Sequence, residues 1–268
     1  MAIKAGLEFM PPVLFAAFRY DLAAVGMLGY AAYATDYWRP RSQADWTVVG
    51  ISAILIIAFY NTFLFVGQQG VTSGVAAILI AMNPILATGF SRLLLPSEQL
   101  GAVESVGLFV GFLGVGLVAR PTSSGVLAAV CVALGSVLIQ RVDGGLPAEG
   151  MVAWSTAFGA ILLHAMSLAL PSESMADITV TTEAVVTLVY LAVFASAVGY
   201  VIYFDLLDRL GAIEINLVSY TVPIFAALSG WLVLSESVDV LSAVGFAMIF
   251  GGFVLLKRGA LGEKVDWL

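Results

Sequence analysis

Apolar runs of about 20 residues, each long enough to cross the hydrocarbon core of a bilayer, follow one another along almost the whole chain. Only short polar connections separate them. With 61% hydrophobic and 11% charged residues over 268 positions, there are too few polar groups to cover a soluble fold. The runs continue to the C-terminal end, so they are not a single secretory leader. In lipid each backbone polar group must find its partner inside the protein, which here makes the spans helices. The reading is an all-α, polytopic membrane helix bundle in the cell membrane. Full spans are expected at about 13–33, 46–68, 73–95, 103–119, 125–140, 151–170, 184–207, 213–234 and 238–256. A short apolar stub, 1–9, precedes them and closes at Pro11-Pro12.

One pattern occurs twice within this apolar background. Ser97-Glu98 is followed by Gly107, Gly114 and Arg120; Ser235-Glu236 is followed at the same spacing by Gly245, Gly252 and Arg258. Upstream of each pair lies an apolar stretch centred on a proline, Pro84 or Pro223. The duplication divides the chain into a first repeat, 1–120, and a second, 121–268. Val137-Leu138-Ile139-Gln140-Arg141 leads to Pro147 much as Ile3-Lys4 leads to Pro12, so the stub is expected to be the end of a longer first helix. With that helix restored, each half has five spans. An odd number makes the halves point oppositely, the inverted-repeat arrangement of many transporters.

Basic residues set the orientation. With the C-terminus in the cytoplasm, Arg39, Arg41, Arg92, Arg141, Arg209, Lys257, Arg258 and Lys264 all fall inside, and Arg120 falls outside. The outer connection 171–183 carries acids and no basic residue. The net charge of −7 and the lack of a basic patch argue against nucleic acid as a partner.

These residues resemble the EamA family of the drug/metabolite transporter superfamily. The resemblance rests on Ile3-Lys4-Ala5-Gly6 before Pro11-Pro12, then Phe15-Ala16-Ala17-Phe18-Arg19-Tyr20. It continues in Asn83-Pro84-Ile85 ahead of Ser97-Glu98, and in Asn216 to Phe225 ahead of Ser235-Glu236. The glycine-spaced closing helix of each half completes it. The family implies ten helices in two inverted five-helix repeats, both termini cytoplasmic. It also implies secondary transport of small metabolites, often outward and without ATP. The short first helix is a departure from that pattern.

An ionisable group inside a bilayer is a functional candidate, because leaving it there is costly. Arg19 lies about two turns into its span, too deep for easy snorkelling. It calls for a carboxylate, a helix C-terminus or an anionic solute group. Asp21 lies on another face of that helix and is free to pair with a different helix. Lys4, which matches the family's lysine, is either a cavity-lining cation or an interfacial one. Asn216, Ser219, Tyr220 and Pro223 share one helical face, as do Ser196, Tyr200 and Tyr203. With Tyr60, Asn61, Gln68 and Asn83 from the first half, they form either a pocket for an amphipathic solute or interhelical packing glue. Pro84 and Pro223 are candidate hinges.

Other chemistry finds little support. Cys131 and His164 are each the only residue of their type, and neither has a metal-binding neighbour in sequence. Gly67-Gln68-Gln69-Gly70 lacks the Lys-Ser/Thr of a phosphate loop. No cofactor and no enzymatic activity are expected. Ser97 and Ser235 with their following glutamates read as helix entries. The glycine-rich closing helices either pack inside the fold or form a homodimer face. The expected function is export of small organic metabolites such as amino acids. Drug or cation efflux, uptake, and a non-transporting scaffold are the alternatives.

Overall fold

The computed structural model describes residues 3, 6–68, 82–94, 102–118, 123–142, 144–216 and 240–265. These residues are overwhelmingly helical, with no strand among them. Helix α1 (Pro12–Ala34) starts at the proline pair, with Pro12 in the first turn, where its missing N–H removes no helix bond. Two other amides at that end are capped from a distance. The Glu173 carboxylate accepts from the backbone N–H of Val13 at 3.1 Å and of Leu14 at 2.9 Å. A negative charge there also complements the helix dipole.

The next span has three parts: α2 (Gln43–Ile51), a π-wound stretch Ser52–Phe59, and α3 (Tyr60–Gln68). Ser42 and Asp45 begin it with a reciprocal capping box. Then come α4 (Asn83–Leu94), α5 (Ala102–Val118), α6 (Ser123–Val142) and α7 (Ala148–Ala169). Thr181 caps α8 (Thr182–Tyr190), which passes through a second π-wound stretch, Leu191–Val198, into α9 (Gly199–Leu210). Gly211 ends α9 at φ +88°, a conformation that glycine reaches without a Cβ penalty. Helices α10 (Ala212–Asn216) and α11 (Val240–Val265) follow. Both composite spans therefore run nine α-helical residues, eight π-wound residues, then α again.

Among the described residues five helices are long and apolar enough to cross a membrane. They are Pro12–Ala34, Gln43–Gly67, Ser124–Val142, Ala148–Ala169 and Thr182–Leu210. Each coincides with an expected span. Most begin a little earlier than apolar length suggests, because entry residues such as Glu149 and Glu183 belong to the first helical turn. Helices α5 and α11 overlap the expected spans 103–119 and 238–256. Positions 73–81 and 95 of the expected span 73–95 lie outside the described residues, as do most of 213–234 and Lys4, Tyr220 and Pro223. Pro84 is described, in the first turn of α4.

Helix α1 packs along α7, and α5 along α11; these are the two most extensive helix contacts. Phe15, Tyr20, Ile56, Ile57, Phe65 and Leu163 are fully buried in the core. The repeated glycines are used within the fold. A methyl group built on Gly114 would come within 2.7 Å of the Gly245 carbonyl oxygen. One built on Gly252 would come within 2.5 Å of the Gly107 carbonyl oxygen. Gly107 and Gly245 occupy equivalent places in the two copies of the motif, and so do Gly114 and Gly252. The two contacts are thus one contact made twice, with the partners exchanged.

Burial is uneven. In its most apolar stretch Gln43–Gly67 is 61% buried, and Thr182–Leu210 only 17%. Helix α6 lies against the first of these along α2, the π-wound stretch and α3. The second presents Val186, Val193, Phe194 and Ile202 outward.

Candidate functional site

A cavity of about 400 Å³ opens between α1, the first π-wound stretch, α3, α4, α6, α9 and α10. Arg19, Tyr60, Asn61 and Asn83 line it from the first half, and Tyr200, Tyr203 and Asn216 from the second. Seven candidate residues, scattered through the sequence, thus share one wall. Ile56, Leu64, Val132 and Leu206 make up much of the apolar remainder. Gln68 falls at the end of α3, and its side chain is not among those described.

Arg19 is 5% exposed. Its Nε donates to Ser196 Oγ at 2.6 Å, and its guanidinium lies 5.0 Å from the centre of the Tyr20 ring and 5.8 Å from that of Phe65. Ser196 sits in the second π-wound stretch. Among the described residues no carboxylate bonds Arg19. A buried guanidinium held by a hydroxyl and two aromatic faces keeps its charge and most of its donors available. Among the described residues no anion offsets that charge, so an anionic group entering the cavity meets a cation with donors to spare.

Not every lining residue is free. Asn61 Nδ2 turns back to donate to the carbonyls of Ile56 at 3.2 Å and Ile57 at 2.8 Å. Both carbonyls belong to the π-wound stretch, so the Asn61 amide ties the start of α3 to it. Asn216 Nδ2 donates to Ala212 O at 2.6 Å and to Ser136 Oγ at 3.2 Å. Both amides brace the cavity wall, as packing glue would. Tyr200 joins the halves: Tyr20 Oη donates to Tyr200 Oη at 3.2 Å, which donates to Ile56 O at 3.4 Å. Asn83 Oδ1 is buried with no hydrogen-bond partner among the described residues.

Tyr20, Phe65 and Ser136 support this wall and were not singled out from sequence. Ser196 shares a helical face with Tyr200 and Tyr203, so the periodicity pointed to it. Phe65 gives no such signal, being one apolar residue among many.

A second cavity, about 620 Å³, lies at the α6–α7 turn, between Gln140, Gly144, Glu149, Asp205 and Asp208. Leu206 lines both cavities. Trp154 stacks on Trp38 and Phe158, Trp46 stands edge-on to Trp154 and Phe158, and the Arg39 guanidinium lies 4.5 Å from the centre of the Trp38 ring. Tyr37, in the connection between α1 and α2, donates a short hydrogen bond to Asp45. That bond, more than burial, pushes the Tyr37 phenol above its ordinary range. Aromatic and basic residues collected at one end of a helix bundle mark a membrane interface.

Apolar spans around a small, mostly apolar cavity with a few polar groups on its wall define a helical membrane protein with an internal cavity of solute size. The EamA-like transporter family model matches residues 1–120 and, a second time, residues 123–258. The chain belongs to the EamA-like transporter family. It is similar to a WAT1-related chloroplast protein of Arabidopsis thaliana, 26% identical over 96% of this chain and 65% of that protein. It is also similar to a Streptantibioticus cattleyicolor protein described as a "probable terminal-alkyne amino-acid exporter". There the identity is 26% over 98% of this chain and 90% of the relative. A solved crystal structure, 18% identical, matches 98% of this chain and 92% of its own with a TM-score of 0.69, the same fold.

Proposed function

We propose that this protein is a secondary transporter that exports small organic solutes carrying a carboxylate, amino acids among them. The observation that carries the reading is Arg19: a nearly buried guanidinium on the cavity wall with no carboxylate bonded to it among the described residues. A charge at that depth is tolerated where protein or water lines it, and the cavity supplies that lining. The volume of about 400 Å³ fits one amino-acid-sized molecule. The aromatic rings of Tyr60, Tyr200 and Tyr203 suit its apolar part. The amino-acid exporter among the relatives supports the solute class.

The architecture we propose is two inverted repeats, 1–120 and 121–268, with the C-terminus in the cytoplasm. The paired π-wound spans, the exchanged glycine contacts and the double family match support it. The solute site sits between the halves, and Arg39, Arg41, Arg141 and Arg209 mark the inner side. Lys4, Gln68 and Tyr220 join the site as further wall residues, and Pro84 and Pro223 act as hinges. Release of labelled amino acids from proteoliposomes, with wild type and Arg19→Ala at equal abundance, tests the reading. Loss of release in the variant is expected. Equal release would remove Arg19 from the site.

A further inference from the structure

The only histidine in the chain has a partner that sequence spacing does not reveal. His164 Nε2 lies 2.7 Å from Asp21 Oδ2, joining α7 to α1 across one of the two most extensive helix contacts. The Phe18 ring stands edge-on to the imidazole at 5.5 Å. Both side chains are partly accessible, 31% for His164 and 44% for Asp21. His164 lies five residues from the end of α7, roughly 8 Å along the axis. The pair is therefore within reach of the aqueous interface beside the 171–183 connection.

The neighbouring ionisable groups bond other residues or lie apart from the pair. Arg19 bonds Ser196, Tyr20 bonds Tyr200, and Glu173 caps α1 while accepting from Ser167 at 3.4 Å. On the packed helices Asp45 bonds Tyr37, and Asp205 pairs with Arg209. Glu149 stands at the far end of α7, and Glu183 in the first turn of α8. Tyr60, Tyr200 and Tyr203 line the cavity, and Tyr30 and Tyr33 lie exposed further along α1. Asp208 and Arg209 close α9, and Tyr190 ends α8 against Phe194. None of these bonds either member of the pair.

We infer that Asp21 and His164 form a proton-binding site, and that exchange of its proton with the adjacent water accompanies solute movement. The second clause rests on the transporter reading. With one proton shared, the pair is neutral overall, as an ion pair or as neutral acid and imidazole. Losing that proton leaves a net charge of −1, and gaining a second leaves +1; either state weakens the link between α1 and α7. Helix α1 carries Asp21 on the α7 side and Arg19 on the cavity side, two residues apart. A change at the pair therefore acts on the helix that holds the solute cation. Histidine is the side chain suited to this at physiological pH, and paired ionisable groups inside membranes commonly mark proton relays.

The test uses the histidine's uniqueness. Protein purified without a histidine tag, labelled with 13C,15N-histidine and placed in lipid nanodiscs, gives one imidazole spectrum. The nitrogen signals are expected to change with protonation across the pH range in which the protein stays folded. A hydrogen-bonded Nε2 proton resonance is expected to disappear in Asp21→Ala, which removes the acceptor. Signals constant across that range overturn the proton site, whatever the protein transports. The second arm is amino-acid efflux from proteoliposomes containing a pH dye. Wild type should move protons with solute. Asp21→Asn and His164→Gln should still carry solute down its own gradient while proton movement falls at least tenfold. Proton movement unchanged in the variants, or absent in wild type while solute moves, overturns the coupling. If no amino acid moves at all, the transport reading and the coupling fall together, and the spectra alone decide the proton site.

Discussion

Adjacent glycines on α11 should respond in opposite ways to the same substitution. Gly252→Ala places a methyl group 2.5 Å from the Gly107 carbonyl oxygen, 2.7 Å from the Gly111 amide nitrogen and 2.9 Å from its Cα. All three are backbone atoms and cannot swing aside. Ordinary contact needs about 3.5 Å, so α5 and α11 must separate by about 1 Å along a seam that is otherwise continuous. Overpacking of this kind costs about 1–3 kcal/mol. Helix propensity returns about 1 kcal/mol when alanine replaces glycine, leaving a net loss of zero to about 2 kcal/mol. Gly251→Ala meets nothing within 4 Å, so propensity alone acts and the change should be neutral or stabilising. Thermal unfolding of both variants in one detergent, followed by monodisperse elution, reads the difference directly. Gly114→Ala should behave like Gly252→Ala, because it meets the Gly245 carbonyl oxygen at 2.7 Å. Gly252→Ala as stable as Gly251→Ala would refute the interlocked seam.

Removing the distant cap on α1 with Glu173→Ala should cost about 1 kcal/mol, read as a lower melting temperature, with Glu173→Gln in between. Cysteines placed at Ser172 and at Gln43 in a Cys131→Ala background should label from opposite sides. With the C-terminus inside, the impermeant reagent reaches position 172 from outside intact cells and position 43 only after lysis. Ser196→Ala removes the hydroxyl that holds Arg19 Nε at 2.6 Å. It should weaken solute release several-fold with little change in stability, which separates the site from the fold.

The spans were legible because bilayer thickness fixes a length of apolar sequence, and Pro11-Pro12 marks where the first begins. The duplicated glycines were legible as well, but not their partners: Gly114 against Gly245 is a fact of helix packing, silent in spacing. Polar periodicity brought Tyr200, Tyr203 and Asn216 to the right wall, yet it could not separate a solute-facing amide from a bracing one. Asn61 and Asn216 brace because backbone carbonyls of their own helices lie within reach. The π-wound stretches have no signature in apolar sequence, since they differ from α-helix only in which carbonyl each amide finds. His164 offered no sequence neighbour, and its partner Asp21 lies across the α1–α7 contact.

The central claim is that Arg19 receives the carboxylate of a transported solute. The most direct measurement is release of a labelled L-amino-acid panel from proteoliposomes bearing wild type, Arg19→Lys or Arg19→Ala at equal abundance. A charge-assisted hydrogen bond is worth about 1.5–3 kcal/mol, so Arg19→Ala should lower release of the carried amino acid by about tenfold or more. Arg19→Lys should fall between, keeping the charge without the planar fork. Release from Arg19→Ala equal to wild type, for each amino acid the wild type carries, would contradict the account.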